Sequence, residues 1–236
     1  MNLAIKRHMN NHKCAKHAWV VAAVWALTMC FAPAVKAHPH MWIDAQVQLG
    51  FNAEGQVTSV TQTWVFDEMF SSYAKQGLAL TESGAPEPAE LDQIGRTWIE
   101  ALADPMSHYF TTIRWRDQEL LTASAQRVKV NWESATEQMS LQFELPLVQA
   151  LSLKGHPLTV AVADPTFYVA YSFDGPDAVT LPGAPSACRA KYEPPQQLDR
   201  QTAQRLAAIP ADVMQLPDDL MAITETLQHR VVVTCD

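Results

Sequence analysis

The 236-residue chain contains no GxxxxGK[ST] or GxGxxG phosphate loop, no GxSxG turn, no HExxH helix and no CxxC pair. Those absences remove the common signatures of nucleotide binding, serine hydrolysis, zinc proteolysis and dithiol exchange. The chain also lacks internal repeats and low-complexity tracts. Past residue 37, no stretch approaches the ~20 continuous apolar residues that a membrane-spanning helix needs. Cysteine is sparse: Cys14 and Cys30 lie near the amino terminus, leaving only Cys188 and Cys235 in the body of the chain.

What is present begins with a leader. Lys6, Arg7, Lys13 and Lys16 precede an apolar run from Ala18 to Phe31, and Val35 and Ala37 occupy positions −3 and −1 of a cut before His38. This is the pattern of a secretory signal peptide over residues 1–37, with one exported domain over 38–236. Ala32-Pro33-Ala34 offers an alternative cut, and Leu27-Thr28-Met29-Cys30 is a weak lipoprotein box whose Met29 is too large for efficient processing. Removing residues 1–37 takes away five Lys/Arg and no acidic residue, so the net charge moves from −8 to −13 over the 199 residues that remain. Such an acidic surface repels nucleic acid and anionic lipid and draws cations. In an oxidising compartment Cys188 and Cys235 are expected to form a disulfide, with a paired-thiolate metal site as the rival reading.

Cleavage after Ala37 would make His38 the first residue. Its free α-amine, with a pKa of about 8, and its Nδ1 can then close a chelate ring on one metal ion. Pro39 has no amide hydrogen, so a deprotonated second-residue amide cannot join. An extended chain places His38, His40, Trp42 and Asp44 on one face and Met41, Ile43, Ala45, Val47, Leu49 and Phe51 on the other. Two imidazoles, an amine and a carboxylate thus share a side. The competing reading is a frayed polar terminus that happens to hold two histidines.

The pattern predicts an α+β fold, mainly antiparallel sheet, with a helical insertion after the first hairpin and helices near the C-terminus. Strands are predicted over 42–51 and 57–66 about the turn Asn52-Ala53-Glu54-Gly55, then helices over about 68–80 and through Leu91, Ile94, Trp98 and Leu102. A β meander follows, with strands at 109–115, 127–133, 139–145, 158–163 and 168–173. Residues 181–195, rich in proline, are predicted irregular, before helices at 196–208 and 218–228 and a closing strand at 231–235. The hairpin brings Asp67 toward the start of the first strand, so it is either a further ligand, the N-cap of the following helix, or both. Asp164 reads as a turn acceptor, and His108, His156 and His229 as structural. Tyr109-Phe110 and Phe167-Tyr168 read as core and cross-strand pairs.

His38-Pro39-His40-Met41-Trp42-Ile43-Asp44, Trp64-Val65-Phe66-Asp67-Glu68-Met69-Phe70-Ser71 and Asp164-Pro165-Thr166-Phe167-Tyr168 together resemble an exported bacterial family, domain of unknown function one-thousand-and-seven. The ending Val231-Val232-Val233-Thr234-Cys235 is similar to the family's as well. The resemblance implies a periplasmic component associated with transport, encoded beside NicO-type nickel and cobalt permeases or zinc uptake systems. It carries over His38, His40, Asp44 and Asp67 as motif positions; their reading as ligands rests on their chemistry.

The leading expectation is therefore a periplasmic binding protein for Ni, Co, Zn or Cu, accessory to an inner-membrane metal permease, with His38, His40 and Asp44 or Asp67 as ligands. One alternative is an oxidative enzyme with a copper histidine brace, which would need a remote second imidazole. Another is a structural partner of a permease that holds no metal.

Overall fold

The computed structural model of the protein describes residues 39–175, 178–209 and 216–236, all within one compact unit, Ala37–Asp236. Residues 1–38, which include His38 and the segment expected to be a leader, lie outside the described residues.

Alternation sets the first strand. Along β1 (Met41–Phe51), Ile43, Ala45, Val47 and Leu49 are buried, whereas Trp42 and Gln48 face solvent. β2 (Val57–Phe66) pairs with it antiparallel, from Ile43↔Phe66 to Gly50↔Ser59. In the connecting turn the Asn52 carboxamide accepts the Gln56 amide at 2.8 Å. Gly55 adopts φ 72°, and a Cβ there would lie 2.7 Å from Pro185 Cγ, so both conformation and space require glycine.

Helix α1 (Glu68–Lys75) stops before the expected residue 80, because Gly77 turns left-handed at φ 83° and Leu80 joins an antiparallel bridge to Pro86. Helix α2 (Pro88–Leu102) packs Leu91, Ile94, Trp98 and Leu102 against the core, as its spacing predicts.

The later strands are β3 (Thr111–Trp115), β4 (Gln118–Glu119), β5 (Gln126–Glu133), β6 (Gln138–Leu151), β7 (Leu158–Val162), β8 (Val169–Ser172), β9 (Val179–Thr180), β10 (Cys188–Glu193) and β11 (His229–Cys235). They do not form one meander. Successive strands divide between a sheet ordered β5-β6-β2-β1-β8, with β9 also on β1, and a second ordered β10-β11-β7-β3-β4. Pairing is antiparallel except where β8 and β9 run parallel to β1. The fold is α+β, with α3 (Arg200–Ala207) and α4 (Asp218–Glu225) as its C-terminal helices. One core cluster draws Ile43, Trp64 and Phe143 from the first sheet and Ile113, Val160 and Val231 from the second.

Two further sequence expectations are corrected. The strand expected at residue 109 starts at Thr111, since His108, Tyr109 and Phe110 form a short left-handed turn with φ of 43°, 54° and 47°. This conformation costs L-residues free energy, and a buried relay holds it. Trp64 Nε1 donates to Gln62 Oε1 at 3.3 Å, Gln62 Nε2 to Thr111 Oγ1 at 3.0 Å, and Thr111 Oγ1 to the Tyr109 carbonyl at 2.8 Å. The second correction is β10, inside the segment expected to be irregular. It fits between Pro185 and Pro194, and its first residue, Cys188, lies directly opposite Cys235 on β11 and is disulfide-bonded to it. The expected bridge is present.

Candidate functional site

The first described residues enter β1 at one end of the first sheet, and three segments surround that entry. On one flank β2 ends at Phe66 and hands over to α1 through Asp67. Asp67 Oδ1 accepts the Phe70 amide at 2.8 Å as the N-cap, and Oδ2 accepts the Trp42 amide at 2.8 Å. The Asp67 amide returns a bond to the Trp42 carbonyl at 3.0 Å. The hairpin thus brings Asp67 to the start of β1, and the cap expected from sequence is formed.

On the other flank lies the loop that opens β8. The Tyr168 carbonyl accepts the His40 amide at 2.8 Å and the Met41 amide at 3.3 Å. The Tyr168 ring stacks on the His40 imidazole with centroids 4.8 Å apart. Tyr168 is therefore not a core residue, as its sequence context suggested, but a partly exposed partner of the first described histidine.

Asp164 builds that loop. Its Oδ1 accepts the Thr166 amide and hydroxyl at 2.8 and 2.7 Å, and its Oδ2 accepts the Val169 amide at 2.9 Å. Three donors on a buried carboxylate fix the turn, and Phe167 takes φ 58° within it. From behind, the buried Thr224 hydroxyl of α4 donates to the Pro165 carbonyl at 3.1 Å, and Phe167 packs on the cluster Leu206, Ile209, Leu216 and Leu220. The C-terminal helices thereby support the loop that meets His40. Asp164 is the turn acceptor its sequence context predicts.

Asp44 stands further along β1, beside Ser172 of β8. Its carboxyl is raised above the usual range by partial burial and by the neighbouring Asp174 charge, against the lowering effect of the Asp174 amide, which donates to Oδ1 at 3.4 Å. Asp174 was not singled out from sequence, because only the parallel pairing of β1 with β8 brings it close. Strand rise of about 3.3 Å per residue places Asp44 up to about 13 Å from His40. Asp67, across from Trp42, is the nearer carboxylate.

The remote histidines have other surroundings. His229 opens β11, stacks on Phe173 with centroids 5.2 Å apart and meets the Tyr192 hydroxyl through Nδ1 at 2.7 Å. Burial lowers its pKa. His156 meets Trp115 edge-on at 5.9 Å, and His108 Nδ1 lies 3.4 Å from the Thr111 carbonyl. Among the described residues no three His, Cys, Asp or Glu side chains form a group able to hold a metal ion.

Residues 23–235 match the family described as protein of unknown function (DUF1007), a span that runs from upstream of β1 to the end of β11. The chain belongs to this family. A similar chain from Haemophilus influenzae, described as an uncharacterized protein, is 24% identical over 161 residues, 68% of this chain and 75% of that one.

Proposed function

We propose that the chain is an exported, periplasmic binding protein for a divalent transition metal, which it takes as cargo. The His38 amine and imidazole and the His40 imidazole form the chelate. The observation that supports this most is the fixing of His40: its amide is bonded to the Tyr168 carbonyl and its ring is stacked on the Tyr168 ring. An imidazole held in place at the entry to β1 loses little further freedom on binding.

The described residues fit such a site only in part, and that directs attention to His38. Both Asp67 oxygens already accept a backbone amide, although each keeps a second lone pair. With no three-residue group of ligands among the described residues, the chelate depends on the N-terminal amine, hence on cleavage after Ala37. Asp67 is favoured over Asp44 as the carboxylate because it lies nearer His40. A copper brace would need a remote imidazole; His229 is stacked on Phe173 and bonded to Tyr192, His156 meets Trp115 edge-on and His108 lies against the Thr111 carbonyl, which favours binding over oxidative catalysis. The transport setting, a nickel, cobalt or zinc permease in the inner membrane, enters through family resemblance.

Calorimetry of Ni, Co, Zn and Cu with exported protein tests the reading. Tight one-to-one uptake, abolished by His38→Ala with His40→Ala and weakening from pH 8 toward 5 as the amine and imidazoles take up protons, is expected. Absence of uptake, or uptake unchanged in the double variant, would overturn it.

A further inference from the structure

The outer face of the second sheet carries positive charge that the acidic composition does not lead one to expect. Its outward positions include Thr112 and Arg114 on β3, Thr159 and the small, buried Ala161 on the neighbouring β7, and Arg230 on β11, which flanks β7 on the other side. The register sets Arg114 beside Thr159 and Arg230 beside Ala161. The small side chains of β7 thus floor a trough of about 450 Å³ that has an arginine on each long side.

Arg116 and His156 also line it, together with two carboxylates, Asp117 and Glu193. Arg116 belongs to the two-residue turn between β3 and β4, whose φ values are 50° and 60° at Arg116 and Asp117. Its guanidinium lies 4.1 Å from the centre of the Trp115 ring, and His156 meets the same ring edge-on. Trp115 therefore orders two cationic or polar groups at once.

None of the three arginines takes part in an ion pair among the described residues. The pairs found are Arg127–Glu144, Lys191–Glu193 and Arg205–Asp219. Glu193 lies across from Arg230 in the ladder; its carboxylate is bonded by Lys191 at 2.8 Å and also feels the Arg230 charge, which it offsets in part. Three guanidinium groups thus share one concavity with two carboxylates, Asp117 and Glu193, and with His156 neutral one positive charge is left over in a chain of net charge −8. That surplus favours an anion in the trough.

We propose that this trough binds a small polycarboxylate. Planar guanidinium forks match carboxylates, and the floor offers the Thr112 and Thr159 hydroxyls for further hydrogen bonds. Arg114 and Arg230 rise from strands separated by β7 and are offset by two residues along it, about 12 Å apart at the backbone, so their long side chains can each meet one of two carboxylates on one ligand. The floor is sheet, whose amides are committed to the β ladders. It therefore lacks the cradle of free backbone N–H groups on which compact phosphate sites rely. This site is remote in sequence from His38 and His40 and does not rest on the metal reading.

The test is calorimetric titration of metal-stripped, full exported protein with citrate, acetate and pyrophosphate at low ionic strength. The background carries His38→Ala and His40→Ala, so that no N-terminal metal can bridge the ligand. Saturable one-to-one citrate binding is expected, well above that of acetate or pyrophosphate. Arg114→Gln with Arg230→Gln should weaken it about tenfold or more, and Arg127→Gln, outside the trough, should leave it unchanged. Folding of each variant is checked by thermal unfolding, and the single variants Arg114→Gln and Arg230→Gln, each expected to bind more weakly, replace a double variant that fails to fold. Non-saturable binding, equal loss with Arg127→Gln, no loss in the trough variants, or preference for pyrophosphate would overturn the proposal.

Discussion

Trp42 and Asp67 hold each other through two hydrogen bonds: the Trp42 amide donates to Asp67 Oδ2 at 2.8 Å, and the Asp67 amide donates to the Trp42 carbonyl at 3.0 Å. The same carboxylate caps α1 through Oδ1. One side chain therefore fixes the entry of β1 and the start of the helix together.

Replacing Asp67 by Ala removes both acceptors and should lower stability by about 1–2 kcal/mol in urea unfolding. Asp67→Asn keeps one carbonyl acceptor and should lose less. Equal stability of Asp67→Ala and the parent protein would show that neither bond matters.

Gln62 is fully buried and links Trp64 to Thr111. Gln62→Leu leaves the Trp64 indole and the Thr111 hydroxyl without those bonds, and the left-handed turn at 108–110 without its brace. The expected loss is about 1–3 kcal/mol, read as a lower denaturant midpoint. An unchanged midpoint would remove the relay from the account of that turn.

The disulfide joins residues 47 apart in sequence, directly opposed on β10 and β11. Cys188→Ser with Cys235→Ser should destabilise by about 4 kcal/mol in the chain-entropy treatment. Alkylation without reduction should leave Cys188 and Cys235 unlabelled. Labelling of both would contradict the bridge.

His229 supplies a pH dependence. Burial depresses its folded-state pKa, so the unfolded chain takes up a proton first as the pH falls below about 6.5. Its contribution is present above that value and declines as the pH drops toward the folded pKa. Plots of unfolding free energy between pH 7.5 and 5, with those limits set about the ordinary histidine value, should slope less for His229→Phe than for the parent protein. The slope is the reading, because the variant also loses the Tyr192 bond. Identical slopes would remove His229 from the acid response.

Much of the frame could be read from residues alone. The alternation of β1, the Asn52–Gly55 turn, the cap at Asp67, the acceptor at Asp164 and the Cys188–Cys235 pair are each set by short-range chemistry or by simple pairing. The division of successive strands between two sheets was not legible, because nothing local distinguishes a meander from strands that change sheet. β10 was hidden by its flanking prolines, which bound the strand without interrupting it. The Tyr168 stack on His40 and the nearness of Asp174 to Asp44 depend on β8 running parallel to β1, a long-range pairing without a sequence signature.

The central claim is chelation by a first residue whose own amine takes part. The most direct measurement compares Ni and Zn affinity, by competition with a chromophoric chelator, of protein beginning at His38 and protein carrying one additional alanine ahead of it. The account predicts that the extension weakens binding by at least about tenfold, since the amine no longer closes a ring with Nδ1. Equal affinity of the two forms would contradict it.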